Sequence, residues 1–223
     1  MWLISVNSLI DEVVNFSYYQ NMNSLQDNTE GSLTEEQQAI IVGCLLGDGA
    51  MRAKTNALLE INHSVEQKVL VDWVYTHLQQ FVSTAPKVRK GNGNRVAYRF
   101  TTRSLPVFTT FYEQFFFKKK KIIPTNLMLT PLTLAVWFMD DGNKSRTSVY
   151  LNTQQFSLEE QKLLQSLLLE QWGIETTLNK DKTYWRIRVR VSSIEKFVSL
   201  IKPYLLPEFQ YKLPMTPYRL IPE

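Results

Sequence analysis

Two nonapeptides of this 223-residue chain end alike. They are Ile41-Val42-Gly43-Cys44-Leu45-Leu46-Gly47-Asp48-Gly49 and Leu134-Ala135-Val136-Trp137-Phe138-Met139-Asp140-Asp141-Gly142. Each reads as an apolar helix finishing in Asp-Gly. A helix C-terminus carries partial negative charge, so a carboxylate there is disfavoured. Something cationic should compensate, and a divalent metal with oxygen ligands would do so. Gly43 and Gly47 fall one turn apart on one helix face and leave room for a second helix to approach. If the two helices pack side by side, Asp48 and Asp141 become neighbours. Two carboxylates aimed at one surface repel unless metal ions sit between them. That arrangement suits metal-assisted hydrolysis of a phosphodiester, in which metals activate water and stabilise the leaving oxygen. One Asp-Gly at a helix end is an ordinary cap; two in register within a repeat ask for more.

The elements that position these residues repeat as well. Thr34 with Gln37 fits a capping box, opening a helix to about Asp48 that Gly49 ends. Residues 50–61 alternate like a strand pair. Ser64 with Gln67 fits a second capping box, opening an amphipathic helix over 65–82. Strands over Lys87–Lys90 and 96–102 flank Gly91-Asn92-Gly93-Asn94, a hairpin signal. A helix over about 105–117 leads through Lys118, Lys119, Lys120 and Lys121 to Pro124. The order then recurs. Thr130 and Pro131 start a helix to Asp141, ended by Gly142. A strand follows over 147–153, then a helix capped by Ser157 and Glu160 that runs to about Trp172. Strands over 175–179 and 184–191, a helix over 194–205, and Lys212-Leu213-Pro214 complete the copy. Lys121 follows Asp48 by 73 positions, and Lys212 follows Asp141 by 71. Such a repeat is a fold-level signal. It predicts an α+β molecule of two αββαββα units related by a pseudo-two-fold axis. Residues 1–33 read as an extension and polar linker, with a loose helix over 2–19. The halves are expected at 34–128 and 129–223.

Composition narrows the function. The hydrophobic fraction is 44% and the mean hydropathy is −0.20, ordinary for a soluble globular chain. No apolar run approaches the roughly 20 residues of a membrane helix, so no membrane partner is expected. The first ten residues lack a basic start and a small-residue cleavage site, so no secretory signal is expected. Cys44 is the single cysteine, which excludes an intramolecular disulfide and a cysteine zinc site. It reads as a small buried hydrophobe. The two histidines, His63 and His77, argue against a histidine-rich metal site. The net charge is +4 and the pI near 9.0, and the basic residues cluster. Residues 86–103 carry six lysines and arginines with no acid, and 180–190 carry five against Asp181 alone. That clustering is the footprint of a polyanion binder.

The paired nonapeptides resemble the signature of the LAGLIDADG homing endonucleases, in their two-motif, single-chain subclass. The resemblance covers about residues 33–219. Further segments carry it: Leu129-Thr130-Pro131 before the second motif, Leu151-Asn152-Thr153-Gln154 after it, Ile201-Lys202-Pro203-Tyr204-Leu205, and Tyr211-Lys212-Leu213-Pro214. Two departures stand out. Val136 occupies a position where glycine or alanine is usual, and the first motif opens with Ile41. Neither touches the aspartates.

The resemblance implies two curved antiparallel sheets forming a DNA-binding saddle, with the motif helices at the centre. It implies that the catalytic acid is the aspartate before the final glycine, hence Asp48 and Asp141. Asp140 competes in the second motif, but Asp141 matches the register of Asp48. Mg²⁺ would bind these carboxylates and nearby backbone carbonyls, such as those of Gly47 or Asp140; Ca²⁺ would bind without supporting cleavage. One lysine per half should lie near the scissile phosphates, matched by Lys121 and Lys212, to orient water or stabilise developing charge. The implied activity is hydrolysis of both strands of a long asymmetric site across the minor groove, leaving short 3′ overhangs, for intron homing by a monomer.

On the sheets, Arg186, Arg188 and Arg190 alternate with Ile187, Val189 and Val191, which gives one basic face. A two-stranded ribbon fits the major groove, where arginine pairs with guanine and asparagine or glutamine with adenine. Candidates in the first half are Arg52, Lys54, Arg89, Arg95 and Arg99. In the second they are Lys144, Arg146, Asn152, Gln154, Lys180, Arg186, Arg188 and Arg190. Some should touch only phosphates. The alternative reading is an intron RNA maturase, a splicing cofactor with or without residual cleavage, with host intron RNA as partner. A DNA-binding module without catalysis is a third; the presence of both aspartates favours the nuclease. The expected setting is intracellular, in an organelle (mitochondrion or chloroplast) or a microbial cytoplasm.

Overall fold

The computed structural model describes residues 32–90 and 96–214. The helix expected over 2–19, the turn at Gly91-Asn92-Gly93-Asn94, and Arg95 lie outside the described residues. The first unit begins with α1 (Glu35–Leu46), capped by Thr34 and Gln37 as a reciprocal box. The hairpin of β1 (Ala50–Ala53) and β2 (Ala57–Ser64) follows, then α2 (Lys68–Leu78), β3 (Lys87–Lys90), β4 (Val96–Thr101) and α3 (Pro106–Phe115). A small hairpin joins the units: β5 (Phe116–Phe117) and β6 (Lys120–Lys121). The second unit comprises α4 (Pro131–Asp141), β7 (Gly142–Ser145), β8 (Ser148–Leu151), α5 (Leu158–Trp172), β9 (Thr176–Asp181), β10 (Tyr184–Val189) and α6 (Ile194–Ile201). Strand orders correspond, β1-β2-β4-β3 and β7-β8-β10-β9, and every pairing is antiparallel. The duplicated α+β architecture expected from the repeat is the fold observed. No helix among the described residues is long and apolar enough to cross a membrane.

Each sheet is buried on one face by its own helices. In the first, Leu59, Ile61, Tyr98 and Phe100 point inward beneath α2 and α3; in the second, Val149, Leu151, Ile187 and Val189 point inward beneath α5, and α6 packs on α4. Pleat alternation leaves the intervening residues on the open face. Between the units, α1 and α4 pack against each other. A Cβ on Gly43 would stand 2.6 Å from Val136 Cβ and 2.8 Å from the Thr133 carbonyl oxygen. Gly43 on one helix thus makes the space that Val136 fills on the other. Cys44, Trp137 and Phe138 are buried in the core that surrounds this contact.

Several boundaries differ from the sequence reading. Ser64 makes no side-chain cap, because its backbone belongs to the β2–β4 ladder opposite Ala97. The chain leaves that ladder through a turn of 3-10 helix, Val65–Gln67, and α2 starts only at Lys68. The helix expected to reach residue 117 stops at Phe115, since Phe116 and Phe117 pair with Lys121 and Lys120. The last helix ends at Ile201, where Pro203 sits in a following 3-10 turn. In the first motif α1 ends at Leu46, and Gly47 is its cap. In the second, α4 stays helical through Asp141. Asp48 and Asp141 match in sequence but leave different backbones.

Candidate active site and nucleic-acid interface

Asp48 lies just past Gly47, the cap of α1, and is exposed; Asp141 is the last residue of α4 and is partly buried. The two helix ends meet. The Asp48 backbone N–H donates to Asp140 Oδ1 at 2.7 Å across the helix pair. A Cβ on Gly47 would come within 2.6 Å of Asp140 Cγ, so glycine there is required by the neighbouring helix. Burial pushes the Asp141 carboxyl up to about 7, and the charges of Asp48 and Asp140 push in the same direction. Asn152 Nδ2 donates to Asp141 Oδ1 at 3.3 Å and opposes that shift. Three carboxylates crowded at two helix C-termini form an electron-rich oxygen site that a divalent cation would relieve.

Both expected lysines reach this site. Lys121 Nζ, carried on β6, donates to the Gly47 carbonyl at 2.8 Å. Lys212 Nζ donates to the Met139 carbonyl at 2.6 Å. Each lysine thus caps the motif helix of its own half, which offsets the negative end of the helix dipole. Burial lowers both ammonium pKa values, that of Lys121 to about 8, although the surrounding aspartates resist the change.

The Gly47 carbonyl also accepts from Gln155 Nε2 at 2.9 Å. Two donors therefore already occupy the carbonyl expected to help hold a metal. Asp140, whose backbone carbonyl was the other expected metal ligand, is held in place by its side chain. Its side chain is fully enclosed, and Oδ2 stands 3.3 Å from Nε2 of the buried His63. The pair is close enough for charge pairing but is not aligned as a hydrogen bond. Burial of His63 works against protonation, yet the contact with Asp140 and the charge of Asp48 outweigh it and raise the imidazole pKa. Asp48, His63 and Asp140 bring ligand atoms within 4.8 Å of one another.

Neither His63 nor Gln155 was singled out from the sequence. His63 did leave a signal: it continues the inward alternation Leu59, Ile61, His63 of β2, a polar group in a core register. Gln155, in a loop of the opposite half, left none.

The candidate base-reading residues sort by pleat. On the first open face, Arg52 and Arg99 both bind Glu60, at 2.7 Å and 3.4 Å. Arg89 pairs with Ala97, two positions before Arg99 on β4, and so shares that face. Lys54 is exposed in the β1–β2 turn. On the second open face Arg188 stands opposite Tyr150 and Thr177, and Arg186 opposite Asn179. The Arg186 guanidinium lies 3.9 Å over the Tyr150 ring. Gln154 holds Asp181 at 3.1 Å beside Arg186. Lys144 and Lys180 fall in the alternate register, with Val149 and Ile187, and are exposed beyond the core. Arg146 is exposed in the β7–β8 turn with φ 43°. Two candidates sit elsewhere than expected. Asn152 belongs to the aspartate cluster, and Arg190 lines a groove of about 500 Å³ with Lys162, Gln165 and Glu175, under α5.

Comparison with known proteins places the chain among related molecules. The model of the LAGLIDADG DNA endonuclease family matches residues 38–197. The cytochrome b mRNA maturase bI2 of Debaryomyces hansenii is 28% identical over 83% of this chain and 76% of its own. A probable intron-encoded endonuclease 1 of Wickerhamomyces canadensis is 29% identical over 82% of this chain and 85% of its own. Among solved structures, the homing endonuclease I-WcaI bound to its DNA recognition sequence superposes with a TM-score of 0.77 and 25% identity, covering 88% of this chain and 99% of that one.

Proposed function

Because the chain belongs to the LAGLIDADG DNA endonuclease family, we propose that it is a DNA endonuclease of homing type. Its target is a long, asymmetric double-stranded site, and it hydrolyses both strands across the minor groove with Mg²⁺, leaving short 3′ overhangs. The observation that carries this reading is the meeting of the two Asp-Gly helix ends between two sheets whose open faces bear arginines.

The oxygen donors of Asp48 and Asp141 fit a hard divalent cation, which would offset the mutual repulsion of Asp141 with Asp48 and Asp140. Once bound, the metal would supply Lewis-acid polarisation of the phosphodiester and a more acidic water. The chain's own residues do the rest. Lys121 and Lys212 bring positive charge beside the reacting phosphates, where negative charge develops. Lys121, with a pKa lowered to about 8, is also poised to exchange a proton near neutrality. Arg52, Arg89 and Arg99 on one sheet and Arg186 and Arg188 on the other read base edges or grip phosphates. The halves run over 34–128 and 129–223 as one monomer, preceded by the extension over 1–33.

A cleavage selection tests this. The protein is incubated with a randomised double-stranded library in Mg²⁺ or Ca²⁺, and the cut ends are sequenced. One long asymmetric site with 3′ overhangs, absent in Ca²⁺, is expected. A second reading, intron RNA maturase, draws on the similarity to the Debaryomyces protein. No cleavage together with tight binding to structured intron RNA would replace the first reading by the second.

A further inference from the structure

The geometry points to His63 and Asp140 as a positioning pair that fixes Asp48 for one of the two strand cuts. The inference rests on the endonuclease reading above. In the repeat, Asp140 corresponds to Gly47, so the two copies differ at this position. The first copy has no side chain there; the second has a buried carboxylate. That carboxylate spans three elements. Oδ1 accepts the Asp48 N–H at 2.7 Å, just past α1. Oδ2 faces His63 Nε2 at 3.3 Å, on β2. The carboxylate itself hangs from the last turn of α4.

His63 occupies a place where an apolar residue would pack, opposite Tyr98 and two positions beyond Ile61. Its side chain is 2% exposed and that of Asp140 is 0%. A buried carboxylate persists where a cationic or hydrogen-bonding group compensates it. His63 is the polar group that faces it, 3.3 Å from Oδ2, and Asp140 in turn holds the backbone of Asp48. The absence of a Cβ at Gly47 lets Asp140 reach across.

The device is one-sided. Asp141 is held by its helix and by Asn152 instead. Loss of His63 therefore loosens Asp48 and leaves the contacts of Asp141 in place. The strand that depends on Asp48 should slow while the other is still cut, and nicked DNA should accumulate. A purely structural loss would slow both strands together.

The test follows each strand separately on a target duplex labelled at both 5′ ends, at saturating DNA and Mg²⁺. Wild type is compared with His63→Leu and with His63→Gln, whose amide can donate to the same oxygen. His63→Leu is expected to slow one strand about tenfold or more, leave the other within about threefold, and keep DNA affinity. His63→Gln is expected to bring the strand ratio back toward that of wild type. If His63→Leu does not fold, His63→Asn, polar but too short to reach Asp140, makes the same comparison. Equal slowing of both strands, or no slowing, overturns the inference while the endonuclease reading stands. So does recovery of the strand ratio on raising Mg²⁺ above the level that saturates wild type, which would make His63 a metal ligand. Failure of wild type to cut either strand overturns the endonuclease reading and this inference with it.

Discussion

At Asp141 burial and two neighbouring carboxylates act on one group, and the consequence is a pH dependence of definite sign. The raised pKa, about 7, means that the folded, metal-free chain favours the protonated acid. That contribution is complete below the ordinary carboxylate range and is lost as pH rises through about 7. A divalent cation favours the ionised form, so its stabilising effect should grow over the same interval. The thermal shift produced by Ca²⁺ is expected to be larger at about pH 7.5 than at about pH 5.5, and Asp141→Asn should flatten the difference. Asp48→Asn and Asp141→Asn should each abolish double-strand cleavage in a plasmid assay while DNA affinity in Ca²⁺ holds within a few-fold. Of these residues, the meeting of the two aspartates was legible in the sequence from register, and the two lysines entered through the family resemblance. His63 and Gln155 were not, because each acts through a partner remote in the chain.

The elements hold these residues by close approach and by turns that favour charge over ease of folding. Gly43 faces Val136 Cβ and the Thr133 carbonyl, neither of which moves cheaply, since one belongs to a packed helix core and the other to its backbone. Gly43→Ala should therefore cost about 1–3 kcal/mol in denaturant unfolding, an overpacking penalty. The β5–β6 hairpin turns through Lys118 and Lys119, with φ 49° and 66°. Glycine or asparagine would adopt that left-handed conformation with less strain, and lysine pays about 1 kcal/mol for it. The tip nevertheless carries these lysines beside Phe117, which is 62% exposed and lies 5.3 Å from Lys118 Nζ. Lys119→Gly should stabilise the fold by about 1 kcal/mol and weaken DNA binding. Denaturant melts and filter binding on the same variant check both halves of that expectation.

Across the molecule, pseudo-symmetry of backbone combines with asymmetry of side chain. Glu60 ties two arginines on the first open face, whereas Tyr150 and Asp181 flank Arg186 on the second. On the endonuclease reading proposed above, two unlike faces would read two unlike half-sites, and a symmetrised target made from either half should bind more weakly than the native one. Binding should weaken steeply with salt, as counterions are released from each phosphate contacted. Arg188→Ala is expected to relax preference at one base position if it reads an edge. If it grips phosphate, it should reduce the salt slope by about one and leave preference intact.

By itself the sequence determined the duplication, the order of elements, and the residues at the two Asp-Gly ends. Hydrophobic period, caps and glycines are local, and repeat spacing is countable along one chain. The capping boxes at Thr34 and Ser157 formed as expected for that reason. The box at Ser64 did not, because a neighbouring strand claimed its backbone, and strand pairing is a non-local competitor. Tertiary structure alone decided that Asp140 turns away from the open site toward His63 and the Asp48 N–H. It alone decided that Lys121 and Gln155 share the Gly47 carbonyl, and that Asn152 binds Asp141. The physical reason is the same in each case. A buried polar group takes the partner that packing brings to it, and packing of α1 against α4 joins residues about ninety positions apart.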